Sequence, residues 1–429
     1  MFEKLSLLPL SNFIRNKSIQ NFLFLAIIQS SNVLISIISM PLLITSIGVD
    51  QFGLVNLALS VIILLNILVG FGYNLSAPRE VAVSQEDKNN LSNLVSRIFS
   101  AKVLLASLAT LFVLIAVFGL NLFKEYQMIL AFSVLLLFSE ATLPLWFFQG
   151  MEKMKLVSIA NIFSKLLFLM GIVLFIHSPE QSYWVNFMLG FFGLGINILL
   201  ILYIKFQLGI RFYKPSFLEI FESVKSNILL FLSNLAAHIS INGGLIILSF
   251  FSTAGTLGMY SLAERVVMVL RLFPALIIQA IYPNAAKLYQ ADEAAFYRFL
   301  RKVYIRVLLL GGLISFSTHF MAPWIIKILS RSELTESVQF LELLAFIPLL
   351  ACLNVGNVTM LLVADLKSLL FKASWMMCLY MVLTSTLLTH YFGPMGLCIA
   401  IISTEIAVFL ICMVLLFKYN RRLFHGFYF

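Results

Sequence analysis

Stretches of some twenty apolar residues recur along almost the whole of this chain, and few features restrict a fold more tightly. A bilayer core is about 30 Å thick and offers no water to the backbone, so a crossing segment must satisfy its own amides, which about 20 helical residues do. Composition removes the alternatives. With 61% hydrophobic residues, 11% charged residues and a mean hydropathy of +1.01, no stretch is left to build a soluble domain. The reading is an all-α polytopic membrane protein, and we place twelve spans at roughly 22–46, 52–73, 98–119, 128–148, 157–176, 184–204, 227–251, 258–281, 305–326, 339–362, 371–390 and 395–417.

The basic residues orient these spans. Of 29 Lys and Arg, three (Lys165, Arg265 and Arg271) fall deep within spans, and Lys124, Lys327 and Arg331 fall on the side opposite the termini. The rest, Lys4, Arg15 and Lys102 among them, fall on or beside the terminal side. Because positive charge accumulates in cytoplasmic loops, both termini are expected in the cytoplasm. The same asymmetry accounts for the net charge of +10 without a nucleic-acid partner. No cleaved signal peptide is expected, since no small-residue cleavage site follows the first long span. Cys352, Cys378, Cys398 and Cys412 lie in or beside apolar spans without metal-ligand spacing, so neither disulfides nor a metal site is expected. The absence of a glycine-rich phosphate loop argues against an ATPase.

The chain carries signs of duplication. Gly258, Ala263 and Pro283 follow Gly53, Ala58 and Pro78 by 205 positions (258 − 53), as Lys302 follows Arg97. Six spans per half give the halves one orientation, a parallel pseudo-two-fold repeat of two six-helix lobes. The expected division is an N-terminal lobe over 1–204, a cytoplasmic linker over 205–225 and a C-terminal lobe over 226–429. Within the linker, Ser216 and Glu219 form a capping-box pattern ahead of an apolar stripe of Phe217, Ile220, Phe221 and Val224, which reads as a helix on the membrane surface. The stretch 421–429 mixes Arg421, Arg422 and His425 with four aromatic residues and reads as a headgroup-zone anchor.

Polar residues inside the spans mark candidate function. Gln29, Asn32, Ser36 and Ser39 share one helical face, and Asn234, His238 and Asn242 repeat the pattern 205 positions after Gln29. Such residues line a cavity or bond helix to helix. The stretch 258–283 contains Glu264, Arg265 and Arg271, and ionised groups at such depth cost roughly 2.5–3.5 kcal/mol on insertion scales unless they face a bundle interior or water. Folding consecutive spans about their loops sets Glu140 level with Lys165 and Arg271 level with His238, while Glu405 lies mid-span in the last helix. Two readings stand for these groups. Arg271, Arg265, Lys165 and His238 meet an anionic substrate while Glu140, Glu264 or Glu405 carries a coupling proton, or the charges pair with one another and fix helix packing.

Two loop-bordering stretches carry a resemblance. Residues 71–82, FGYNLSAPREVA, and 144–154, PLWFFQGMEKM, with Pro41, Gly48, Phe52 and Gly53, resemble motifs of the bacterial O-antigen repeat-unit flippases, the Wzx-type branch of the polysaccharide biosynthesis transporters. The resemblance implies the multidrug, oligosaccharidyl-lipid and polysaccharide exporter fold, two six-helix lobes around a central cavity in the bacterial inner membrane. It implies a non-enzyme that turns an oligosaccharide on undecaprenyl diphosphate from the cytoplasmic to the periplasmic leaflet, by alternating access driven by an ion gradient, H+ or Na+. Other polysaccharide-assembly proteins and membrane lipids are the implied partners, with no other cofactor. Arginine suits phosphate oxygens, and Gln29, Asn32, Asn234 and Asn242 suit sugar hydroxyls. The motif residues Arg79, Glu152 and Lys153 are expected to shape turns and gating rather than to touch substrate. The rival of the same fold is a multidrug exporter, against which stands the lack of Asp and Glu in the first three spans. Membrane polymerases and acyltransferases are the rivals of another class; no long external loop and no His with a supporting acid favours them.

Overall fold

The computed structural model describes residues 17–121 and 123–429, and among them helices and turns account for the chain, with no strand. Lys4 and Arg15, which the charge reading used, lie outside the described residues. Among the described residues, ten helical stretches are long and apolar enough to cross a bilayer. Two of these, Ile27–Ser84 and Lys367–Tyr419, run to 58 and 53 residues, far more than one crossing requires. Each is broken by a glycine with non-helical backbone, Gly48 (φ 79°) and Gly393 (φ 60°), a region that side chains with a Cβ avoid. Divided at the two glycines, the ten stretches become the twelve spans read from the sequence.

In chain order the helices are α1 (Lys17–Gly70, turning at Gly48), α2 (Tyr73–Ser84), α3 (Lys88–Leu114), α4 (Gln127–Ser133), α5 (Leu135–Thr142), α6 (Leu145–Gly150), α7 (Met154–Phe175), α8 (Tyr183–Phe206) and α9 (Phe217–Ser226). They continue as α10 (Ile228–Ser249), α11 (Ala254–Ala291), α12 (Glu293–Ser330), α13 (Thr335–Leu344), α14 (Ile347–Leu353), α15 (Val355–Val363), α16 (Lys367–Tyr419, turning at Gly393) and α17 (Arg421–Tyr428). Contacts gather them into two units: residues up to Leu42 with Val61–Asn234, and Leu43–Ser60 with Leu235–Phe429.

In the first unit the two motif stretches pack on each other. Trp146, Phe147 and Phe148 of α6 are buried in one core with Tyr73, Ala77 and Val81 of α2. Gly150 permits this, because a Cβ there would lie 2.6 Å from the Pro78 carbonyl oxygen and 2.6 Å from the Val81 Cβ. Pro144 holds Leu143 in extended backbone (ψ 112°), which separates α5 from α6. The α6 end is closed by Glu152 in the left-handed region (φ 53°), with the Lys153 amide donating to the Phe148 carbonyl at 2.9 Å.

The linker is strapped to this unit rather than free. The Arg211 and Tyr213 amides donate to Ser92 Oγ (3.1 Å) and Ser96 Oγ (2.9 Å) on α3. Phe231, at the start of α10, stacks on Phe71 with ring centroids 4.4 Å apart. The capping box forms: Glu219 N–H donates to Ser216 Oγ (3.3 Å) and Ser216 N–H to Glu219 Oε2 (2.7 Å). The bonds donated by Ser216 hold the Glu219 carboxyl below its ordinary pKa. The expected stripe on α9 divides, however. Ile220 and Val224 pack against the unit's core, while Phe217 and Phe221 stay exposed.

In the second unit α11 and α12 each run 38 residues and meet across Asp292 alone, so the expected loop at 282–304 is almost wholly helical. Asp292 caps α12 by accepting from the Ala295 amide (3.0 Å), as Asp87 caps α3 by accepting from the amides of Asn89 (2.9 Å) and Asn90 (3.1 Å). Asp87 and Asp292 are a further pair at the 205-residue offset. Gly53 and Gly258, also 205 apart, sit where backbone meets backbone: a Cβ on Gly53 would strike the Gly258 amide, and one on Gly258 the Val49 carbonyl.

The C-terminal expectation needs correction. Residues 421–428 form α17, whose apolar side is folded inward rather than offered to lipid, with Leu423, Phe424 and Phe427 buried. Arg301 donates to the Phe427 carbonyl (2.8 Å), and the Tyr428 hydroxyl to Asn357 Oδ1 (2.7 Å). A helical period gathers those three residues on one face, a pattern that composition does not report.

Candidate functional site

Two groups of charged side chains lie in the middles of helices, one in each unit. In the first unit the middles of α5, α7 and α8 and both limbs of α1 surround a cavity of about 240 Å³. Its wall carries Asn32, Asn66, Ser139, Glu140, Asn161, Ser164, Lys165 and Asn197. Several of these are tied down. Asn161 Oδ1 accepts from Ser31 Oγ (3.4 Å), and Asn197 Nδ2 donates to the Ser139 carbonyl (2.8 Å). Asn66 Oδ1 is buried without a partner, which leaves its Nδ2 as the atom available to the space.

Glu140 is held from behind by Lys102, 3.6 Å away. That corrects the charge reading, which set Lys102 beside the cytoplasmic face; its side chain is 0% exposed. The reason is the Asp87 cap. It starts α3 at Lys88, about four turns before Lys102, and so carries that residue deep into the helix. Glu140 and Lys165 do share one cavity, as equal depth required. The ion pair, though, is Glu140 with Lys102, and Lys165 has no hydrogen-bond or ion-pair partner among the described residues. Among those residues, Glu140 is the one acidic side chain in the middle of a span of this unit.

The second unit neutralises its charges internally. Arg271 on α11 forms an ion pair with Glu405 on α16, Arg271 being 23% exposed and Glu405 5%. Arg265 donates through Nε (3.2 Å) and a terminal nitrogen (2.7 Å) to Asn56 Oδ1, and Tyr260 donates to Glu264 Oε1 at 3.3 Å. Asn56 and Tyr260 carry no charge and gave no sequence signal beyond their place in a span. His238 bonds within its own helix, to Asn242 Nδ2 at 3.4 Å, and not to Arg271.

The remaining candidates stand apart from both groups. Gln29 is exposed on α1, and Asn234 is half-buried on α10. Arg79 is exposed midway along α2, and Glu152 and Lys153 are exposed just past the end of α6, all three away from the cavity wall. The chemistry on offer is therefore recognition: amide and hydroxyl groups matched to other hydroxyls, and a lysine matched to an anion.

The family model of the polysaccharide biosynthesis proteins matches residues 18–289. The chain belongs to that family. Over 405 residues it is 23% identical to the "Putative O-antigen transporter" of Escherichia coli (strain K12), spanning 94% of this chain and 97% of the other. A Shigella dysenteriae protein of the same description is 28% identical over 402 residues, spanning 91% and 98%. Among solved structures the chain is similar to an inward-facing multidrug resistance MATE family transporter of the MOP superfamily (TM-score 0.66, 13% identity, 92% and 98% covered). It is equally similar to the lipid II flippase MurJ in an inward closed conformation (TM-score 0.66, 14% identity, 94% and 89% covered). These establish the transporter fold of a multi-pass membrane protein, and the matched relatives are transporters rather than enzymes.

Proposed function

We propose that this protein is a flippase for a lipid-linked saccharide: an oligosaccharide on undecaprenyl diphosphate, an O-antigen or related repeat unit, moved from the cytoplasmic to the periplasmic leaflet of a bacterial inner membrane. The observation that carries the reading is the first unit's cavity, where amides, serines and a lysine with no counter-charge stand in the middles of helices that lipid would otherwise require to be apolar. Polar groups at that depth suit a polar passenger. Amides and hydroxyls match sugar hydroxyls, and the cationic side chains match phosphoryl oxygens. The full-length relatives described as O-antigen transporters and the likeness in fold to a lipid II flippase support the same assignment. Transport proceeds by alternating access powered by an ion gradient, with both termini cytoplasmic and with other polysaccharide-assembly proteins as partners.

A multidrug exporter of the same fold is the competing reading. The charge in the first unit opposes it, since an organic cation is repelled by a cavity whose surplus charge is a lysine. Reconstitution in liposomes with a fluorescent undecaprenyl-diphosphate oligosaccharide separates the two. Movement of the lipid between leaflets is expected; transport of a cationic dye with the lipid left in place sinks the flippase reading.

A further inference from the structure

The first unit holds more positive than negative charge in the middles of its helices. Lys102 and Glu140 cancel at 3.6 Å, and Lys165 remains. A half-buried cation without a counter-charge is costly, so a cavity that retains one is built to be neutralised by something else. The other groups on the wall indicate what. Asn161 spends its Oδ1 on Ser31, and Asn66 has its Oδ1 sealed away, so both have amide N–H groups to give. The one carboxylate on the wall is already engaged from behind. Asn197 spends its own Nδ2 on the Ser139 carbonyl, so the donors left on the wall include Lys165 and the amides of Asn66 and Asn161.

We propose that this cavity is a binding site for a compact anion, held by Lys165 with the amides of Asn66 and Asn161. Its about 240 Å³ accommodates such an ion with several waters, each of about 30 Å³ in the liquid. The same donors serve chloride from solution and the phosphoryl oxygens of a lipid headgroup, and the two sources are told apart below. The site is unsuited to Na+, which takes oxygen ligands that carry or share negative charge. The inference goes beyond the flippase reading and does not depend on it, because it is tested by binding to the purified protein with no transport step.

The full-length protein is purified in detergent in sodium gluconate. Its thermal unfolding is then followed while chloride replaces gluconate at constant ionic strength, and separately with inorganic pyrophosphate. A saturable rise in Tm is expected for the wild type. Lys165→Gln should weaken half-saturation at least about tenfold, and Lys165→Arg, which keeps the charge, should hold it within about threefold. Response to chloride alone assigns the site to a solution ion; response to pyrophosphate at lower concentration assigns it to a headgroup. No saturable response to either anion, or an unchanged response in Lys165→Gln, overturns the proposal. Should Lys165→Gln fail to fold, Glu140→Gln decides the matter. Removing the carboxylate should tighten anion binding at least about threefold, because it deletes a repulsive charge, and weaker binding overturns the site.

Discussion

The two units treat charge inside helices in opposite ways. In the second, Arg271 faces Glu405, Arg265 is held by Asn56 and Glu264 by Tyr260, so that each of these four groups has a fixed protein partner. In the first, one pair is closed and one lysine is left to a cavity. A matched set of charges locks helices together, whereas an unmatched one reserves interaction energy for a ligand. Mid-helix charge by itself therefore says little about substrate contact; the balance within each unit says more.

Variants test that contrast, the largest effect being expected at Glu405. Glu405→Gln strands Arg271 and should cost about 3–5 kcal/mol of stability, seen as a lowered unfolding temperature in detergent. The double variant Arg271→Met, Glu405→Leu should recover most of the loss, and a double variant as unstable as the single one breaks the comparison. Packing glycines come next. Gly150→Ala in the first unit and Gly258→Ala in the second each drive a Cβ into backbone and should cost about 1–3 kcal/mol, while Gly195→Ala, with open space around it, should cost nothing.

Lys165→Met is expected to be neutral or stabilising in the absence of anions, within about 1 kcal/mol, since no protein partner is lost. A loss as large as that of Glu405→Gln would mean that both units use their charges alike. The smallest effect is confined to α9. The Glu219 carboxyl is held below its ordinary pKa, so its contribution is complete above the unfolded-state value and disappears as pH falls through the lowered one. Hydrogen exchange at the first amides of α9 should quicken in that acidic window, and Glu219→Ala should show the fast rate at every pH.

Much of this architecture was legible in the residues. Hydropathy located the spans, Ser216 and Glu219 announced the cap of α9, and the glycine-bearing motifs announced close packing. Depth was harder to read. Lys102 looked peripheral because a stretch, 88–97, in which seven of ten residues are polar precedes it, yet a good cap makes such a stretch helical as readily as an apolar one, and hydropathy does not register that extension. Pairing was harder still: Arg271 and Glu405 are separated by 133 intervening residues, and Asn56 and Arg265 by 208, so only the folded arrangement introduces them. Equal depth did bring Glu140 and Lys165 to one cavity, but it carried no information about a third helix arriving behind them.

The glycine turns at Gly48 and Gly393 bear on how the topology can be mapped at the bench. A protease needs several residues of extended chain to thread its cleft, and a hairpin that reverses on one residue between two helices supplies none. Both corners should therefore stay uncut on whichever side of a vesicle the enzyme is placed. Silence there would report tight geometry and not shelter by the membrane. A small thiol reagent directed at a cysteine introduced for Val49 or Pro394 asks less of the backbone and would give the sidedness that digestion withholds.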